Sequence, residues 1–156
     1  MTHEDWMKVA IDACRQGMST GQTPFGAVIV RDEEIIVKTH NVVWATTDIT
    51  AHAEVNAIRL ACAKLRTVDL SGCRIYSTCE PCPMCFSACH WAKLDQIVYG
   101  SSIADAAGCG FSELTLSNME MKTQGGSRID VVGGVLKDEC SQLFREWLMN
   151  ESRQGY

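Results

Sequence analysis

Four residues in two short stretches have the chemistry and the spacing of a metal site. The stretch ITAHAEVNAI holds His52 and Glu54 two positions apart, and the stretch CEPCPMCFSAC holds Cys82 and Cys85 in a C-x-x-C arrangement. One imidazole and two thiolates would leave a fourth coordination position open, which is typical of catalytic zinc. Glu54 would then stand beside the metal without ligating it, free to transfer protons.

Each half of this pattern also has a simpler interpretation. A histidine and a glutamate at a helix start are often only a cap and a first-turn acid, which stabilise a helix by about 1 kcal/mol or less. A lone C-x-x-C could be a redox pair, half of a four-cysteine zinc site, or a coincidence in a chain with nine cysteines. A redox pair is expected in the first β-α unit, whereas this one follows the third predicted strand. A four-cysteine site would need a matching second pair, and the available cysteines do not supply that spacing: Cys62, Cys73, Cys109 and Cys140.

The hydrophobic pattern predicts the elements that must position these residues. The chain begins with an amphipathic helix over 6–18, and a hairpin follows with strands over 25–30 and 34–41 that meet at Asp32-Glu33. The later predicted elements are a helix over 52–65, a strand over 73–79, a helix from about Pro81-Cys82, strands over 96–100 and 128–134, and a helix marked by Cys140, Leu143, Phe144, Trp147 and Leu148. The Gly- and Ser-rich segment 101–127 is assigned to loops and short helical turns.

This order of elements predicts an α/β protein with a mixed sheet and helices on its faces. His52 lies at the start of one predicted helix, and Cys82 and Cys85 lie at the start of the next. In an α/β sheet, two such helix starts lie over the same crevice at the strand ends, so the imidazole and the thiolates are expected to meet there. Helix dipoles at these positions also favour thiolate over thiol.

Length and composition limit the classes of protein that fit. The chain has 156 residues, of which 46% are hydrophobic, and this suits a single domain over 1–156. The formal net charge of −5 argues against a broad nucleic-acid-binding face, because phosphate binding needs clustered Lys and Arg. We find no signal peptide and no apolar run of membrane-spanning length. A cytoplasmic protein without membrane association, with most cysteines as reduced thiols, is expected.

With both motifs in place, the sequence resembles the zinc-dependent nucleobase deaminase superfamily, whose signature is H-x-E followed by P-C-x-x-C. The resemblance covers nearly the whole chain and implies a three-layer α/β/α fold around a five-stranded mixed sheet, as in cytidine deaminases. It implies one Zn²⁺ per chain with His52, Cys82 and Cys85 as ligands. Glu54 would be the general acid/base for attack by a zinc-activated water on an amidine carbon of a base, with release of ammonia.

Within that superfamily, the stretches TPFGAVIV, TAHAEVNAIR, STCEPCPMC and AGCGFSE are similar to bacterial guanine deaminases. The implied reaction is hydrolysis of a free purine base, guanine to xanthine and ammonia, by a homodimer associated through the helices that carry the motifs. Glu113 would be a second catalytic carboxylate. The resemblance also implies a C-terminal tail over 149–156 that closes an active site, and these substrate contacts: Phe25 and Trp91 as stacking walls, Asn41 and Ala53 at the base, and Tyr156 from the tail.

The C-terminal part of the chain departs from this resemblance. The stretch RIDVVGGVLKDECSQLFREWL is more similar to tRNA adenosine deaminases, which convert adenosine to inosine in an anticodon loop. Those enzymes need cations for the flanking phosphates, yet residues 137–156 contain three basic and four acidic side chains. This balance disfavours tRNA as the substrate. A non-catalytic, zinc-stabilised binding subunit is a further alternative, but such a protein would have no use for Glu54.

Overall fold

A five-stranded mixed sheet forms the centre of the fold. The computed structural model describes residues 1–156. Its strands are β1 (Gly26–Arg31), β2 (Glu34–His40), β3 (Arg74–Cys79), β4 (Gln96–Ser101) and β5 (Asp130–Val132). They lie in the order β2-β1-β3-β4-β5. β1 is antiparallel to β2 and β3, whereas β3, β4 and β5 run parallel to one another.

Seven helices surround this sheet: α1 (His3–Ser19), α2 (Val43–Thr46), α3 (Ala53–Leu65), α4 (Pro83–Trp91), α5 (Ile103–Ala107), α6 (Asn118–Gly125) and α7 (Lys137–Leu148). The side chains of β1 alternate between two hydrophobic cores. Ala27 and Ile29 belong to the core that includes the buried residues of α3 and α4, and Val28 and Val30 belong to the core beneath α1. The predicted α/β/α fold with a five-stranded mixed sheet is therefore confirmed. None of the helices combines the length and the apolar character needed to cross a bilayer.

Most predicted elements agree with the structure within a few residues. The hairpin turn falls at Asp32 and Glu33, which both have positive φ, as a two-residue turn between twisted strands requires. The predicted strand over 128–134 is reduced to three residues, and the last helix begins earlier than its first apolar marker, at Lys137.

The segment 101–127 is more helical than its weak periodicity indicates, because it contains α5 and α6. Each of these helices begins with a capping box, in which Ser102 pairs with Asp105 and Ser117 pairs with Glu120. The two S-x-x-D/E patterns are the sequence signal for these helix starts.

Candidate active site

Two helix starts meet at the carboxyl end of β3. His52 is the N-cap residue of α3 and Cys82 is the N-cap residue of α4, and neither side chain makes a capping hydrogen bond. Cys85 lies in the first turn of α4 and is fully buried. The interpretation of His52 as an ordinary helix cap is therefore wrong, because its imidazole is directed towards the thiols instead of towards the backbone N–H groups of its own helix.

The distances among these three side chains fit a zinc ion. The Nδ1 atom of His52 lies 3.7 Å from the Sγ atom of Cys82 and 3.6 Å from that of Cys85. All three ligand atoms lie within 4.8 Å of one another. Usual Zn–N and Zn–S bond lengths at a tetrahedral angle separate nitrogen and sulfur by about 3.6 Å. The donor set, one imidazole and two thiols, is also the one that zinc prefers.

The two thiols interact strongly with each other. A hydrogen bond from Cys85 lowers the pKa of Cys82 to about 4, and the contact with His52 acts in the same direction. The same bond to Cys82, together with burial, raises the pKa of Cys85 well above its usual range. Cys82 is thus a thiolate at neutral pH, which is the form that binds a metal.

Glu54 lies in the first turn of α3 and is only 5% exposed. The hydroxyl of Ser77 donates a hydrogen bond of 3.1 Å to its Oε1 atom. Burial raises the pKa of the Glu54 carboxyl, and the negative charge of Cys82 adds to this effect. A solvated first-turn acid would be exposed, so the structure excludes this simpler interpretation and leaves a buried carboxylate able to hold a proton.

A cavity of about 310 Å³ opens beside the ligands. It brings together six of the residues predicted from the sequence: Phe25, His52, Glu54, Cys82, Glu113 and Tyr156. Eight further lining residues were not predicted: Ile49, Cys79, Glu80, Pro83, Met84, Phe111, Ser112 and Leu114. Several of these lie inside the stretches STCEPCPMC and AGCGFSE, which are the signal that could have identified them. No Lys or Arg lines the cavity.

Glu113 approaches the cavity from the irregular segment between α5 and α6. Burial raises the pKa of its carboxyl to about 7, and the nearby negative charges of Cys82 and Glu54 contribute. A carboxyl with this pKa is present in both protonation states near neutral pH. It can therefore take up or release a proton in the cavity.

The C-terminal tail folds back over the site of its own chain. The hydroxyl of Tyr156 accepts a hydrogen bond of 2.7 Å from the Nδ2 atom of Asn41. The Tyr156 ring lies 5.6 Å from the His52 ring and 5.7 Å from the Phe111 ring, measured between centroids. The Trp44 indole N–H also donates to the carbonyl oxygen of Gln154. Tyr156 thus lines the cavity beside His52.

Three predicted substrate contacts do not line the cavity. Asn41 is fully buried and bonds both Tyr156 and the backbone N–H of Val43, and Ala53 is fully buried at the start of α3. Trp91 is 81% exposed at the opposite end of α4 from Cys82. Nine helical residues span about 13 Å, so Trp91 does not line the cavity of its own chain, and its role as a stacking wall stays a prediction.

Comparisons with known proteins agree with this geometry. A sequence model described as the cytidine and deoxycytidylate deaminase zinc-binding region matches residues 1–101. A guanine deaminase of Bacillus subtilis is 45% identical over 72% of this chain and 73% of its own length. A tRNA-specific adenosine deaminase of the same organism is 36% identical over 94% of this chain and 91% of its own length. A solved guanine deaminase structure from Nitrosomonas europaea superposes with a TM-score of 0.83 at 30% identity, covering 92% of this chain and 82% of that one.

Proposed function

Because the chain belongs to the family of cytidine and deoxycytidylate deaminases with a zinc-binding region, and is thus a zinc-dependent hydrolytic deaminase, we propose that its substrate is a free purine base. The proposed reaction is the hydrolysis of guanine, in which guanine and water give xanthine and ammonia. The observation that carries this proposal is the lining of the cavity: aromatic and apolar side chains, three carboxyl groups, and no Lys or Arg.

This lining suits an uncharged, planar molecule. Phe25 stands edge-on to Phe111 with centroids 5.0 Å apart, so the inner wall is aromatic and can pack against a flat ring. A nucleotide or an RNA strand would bring phosphate groups, which are normally bound by cationic side chains. The absence of cations from the lining therefore supports a free base over a nucleotide.

The side chains of the site divide the chemistry among them. His52, Cys82 and Cys85 would hold the zinc, and zinc supplies the Lewis acidity that makes water a nucleophile near neutral pH. Glu54 would take a proton from the attacking water and deliver it to a ring nitrogen or to the departing amino group. Glu113 would hold a second proton for the leaving ammonia. Phe25 would keep the base flat against the wall while the carbon–nitrogen bond breaks.

Replacing Glu113 with Gln is expected to lower kcat for guanine by about 100-fold, because a positioned proton donor or acceptor is lost while the size of the side chain is kept. Ammonia release under saturating guanine measures this effect, with zinc content determined in parallel. Glu151→Gln, an identical change on the exposed tail, is the control. Unchanged turnover in Glu113→Gln would remove this residue from the reaction.

Replacing Tyr156 with Ala is expected to raise KM for guanine about tenfold, because an aromatic contact worth about 1.4 kcal/mol closes the cavity beside His52 and Phe111. Steady-state kinetics measures the change. Tyr156→Phe keeps the ring and loses only the hydroxyl's bonds to Asn41 and Thr23, so its effect should be smaller. A lower KM in Tyr156→Ala would mean that the tail obstructs the base instead of enclosing it.

A tRNA adenosine deaminase is the second candidate, and the match that favours it is the B. subtilis tRNA-specific enzyme, which aligns with 94% of this chain. A substrate panel separates the two. Zinc-loaded protein is incubated with guanine, guanosine, adenine, cytosine and an anticodon stem-loop, and ammonia is measured. Ammonia release from guanine supports the proposal. Ammonia release only from the stem-loop would replace the proposal with the second candidate. If no substrate releases ammonia, the non-catalytic binding subunit is the alternative that remains.

We also propose that the chain forms a homodimer in the cytoplasm. Large apolar side chains are exposed on α4 and α6, where Trp91 is 81% and Met119 is 52% exposed. Exposed apolar surface of this kind is commonly covered by a second subunit. Sedimentation equilibrium gives the mass in solution, and a monomer at micromolar concentration would contradict the proposal.

A further inference from the structure

One wall of the cavity is an irregular segment, residues 108–117, between α5 and α6. It carries Phe111 and Glu113 into the cavity together with two neighbours, Ser112 and Leu114. None of these ten residues belongs to a helix or a strand. Their position relative to the metal ligands therefore depends on how the two ends of the segment are held.

Glu80 holds the starts of α5 and α6, the two helices on either side of this segment. This residue directly follows β3 and is 7% exposed. Its Oε2 atom accepts a hydrogen bond of 3.1 Å from the backbone N–H of Ile103, and its Oε1 atom accepts one of 2.9 Å from the backbone N–H of Asn118. Ile103 and Asn118 are the first residues of α5 and α6. One carboxylate thus satisfies a free N–H group at each of two helix starts, where the helix dipoles also favour negative charge.

Glu80 is also fixed to the sheet next to the metal ligands. The backbone N–H of Glu80 donates to the carbonyl oxygen of Ser101 at 2.7 Å, which ties it to β4. The Nδ2 atom of Asn118 donates to the carbonyl oxygen of Pro81 at 2.6 Å, so the start of α6 is bonded to the residue that precedes Cys82. Through Asn118, Glu80 and Pro81, these bonds connect the segment 108–117 to the C-x-x-C motif.

The charge of Glu80 has no cationic partner among the ion pairs of the structure. A buried carboxylate is costly unless its oxygens are bonded, and here two backbone N–H groups fulfil that need. A neutral or apolar side chain could fill the same space without this cost. The two hydrogen bonds that Glu80 accepts at once therefore explain why a carboxylate is buried at this position.

We infer that Glu80 is a positioning residue, which sets Phe111 and Glu113 at their working distance from the metal ligands. The inference rests on the proposed deamination of a free purine base, and it adds the residue that shapes the base-binding wall. Glu80 acts through the backbone of Ile103 and Asn118, so its loss should alter how the base is bound while the zinc ligands stay in place.

The test is Glu80→Gln, which keeps the size of the side chain but replaces one acceptor oxygen with an NH₂ group that faces a backbone N–H. We expect about one zinc per chain, as in the wild type. Hydrogen exchange at the amide of Ile103 or Asn118 should become about tenfold faster or more, because a bond to a charged acceptor is lost. KM for guanine, per zinc-loaded chain, should rise about tenfold because a displaced wall binds the base less well.

Glu120→Gln is the matched control. Glu120 stands at the same start of α6, where its Oε2 atom accepts bonds from the backbone and the hydroxyl of Ser117, but it is exposed and makes no bond to β3. This variant should leave KM unchanged. An equal rise in KM for Glu80→Gln and Glu120→Gln would mean that only the capping of α6 matters and would overturn the inference.

Glu80→Asp keeps the test decisive if the Gln variant does not fold. The shorter carboxylate keeps the charge but reaches only one of the two N–H groups, so fast exchange is expected at Ile103 or Asn118 and a smaller rise in KM. Unchanged exchange and unchanged KM in a folded Glu80 variant would refute the positioning role. If the wild type releases no ammonia from guanine, the proposed function fails by itself, and the exchange rates still decide whether Glu80 holds the wall.

Discussion

Cys85→Ala is expected to contain almost no zinc and to release no measurable ammonia from guanine. The fully buried Cys85 supplies one of only three ligand atoms, and its Sγ atom lies 3.6 Å from Nδ1 of His52. Loss of a group that only orients a ligand typically weakens metal affinity by about 10- to 100-fold, so loss of a ligand itself should exceed this range. Zinc content by atomic emission and the ammonia assay measure the two effects together.

Cys89→Ala is the control for this experiment. Cys89 is also fully buried on α4, one turn beyond Cys85, but it is not part of the ligand group. It should keep zinc and activity and lose about 1 kcal/mol of unfolding free energy from reduced packing. Wild-type protein treated with a chelator should behave like Cys85→Ala and recover when zinc is added. Full zinc content in Cys85→Ala would show that the ligand assignment is incorrect.

Glu54→Gln is expected to keep one zinc per chain and to lose about 1,000-fold or more of kcat, which lies within the usual contribution of a general acid/base. The amide has nearly the same volume and can still accept the bond from Ser77, so the fold and the ligands should be undisturbed. It cannot carry a proton between water and substrate, however. Ammonia release measures the loss, and the zinc content of the same sample excludes a metal effect.

The corresponding control is Glu139→Gln, the same change in the exposed first turn of α7. Its kcat should equal that of the wild type. Loss of zinc in Glu54→Gln would indicate that Glu54 serves as a ligand. Retention of kcat would mean that another group transfers the proton, and Glu113, which also lines the cavity, is the candidate.

Much of the fold follows from local patterns in the sequence. The continuous apolar run FGAVIV became β1, buried on both faces, and the Asp32-Glu33 turn set the register of the first two pairs of the hairpin, up to the irregularity between Ile29 and Val30. Elements with weak periodicity were less predictable. α6 has only one buried residue, Asn118, so no hydrophobic face indicates it, and only its capping box does.

The candidate metal site was predictable for a related reason. His52 and Cys82 each mark the start of a helix that follows a strand, and two such helix starts lie over the same end of an α/β sheet. The order of helices and strands therefore predicts that the imidazole and the thiols meet, and their residue types and spacings predict that the meeting point is a metal site. The side chains then meet at zinc-binding distances.

The sequence by itself determined the α/β fold, the three candidate zinc ligands and the neighbouring carboxylate, because these depend on helix and strand starts and on side-chain chemistry. Only the tertiary structure decided which further residues line the cavity and how its walls are held. Tyr156 bonds Asn41 across 115 residues, and Glu80 bonds the start of α6 across 38 residues. Such pairs leave no periodic trace in the sequence, because packing of distant segments brings them together. The same packing leaves Trp91 at the far end of α4, exposed to solvent.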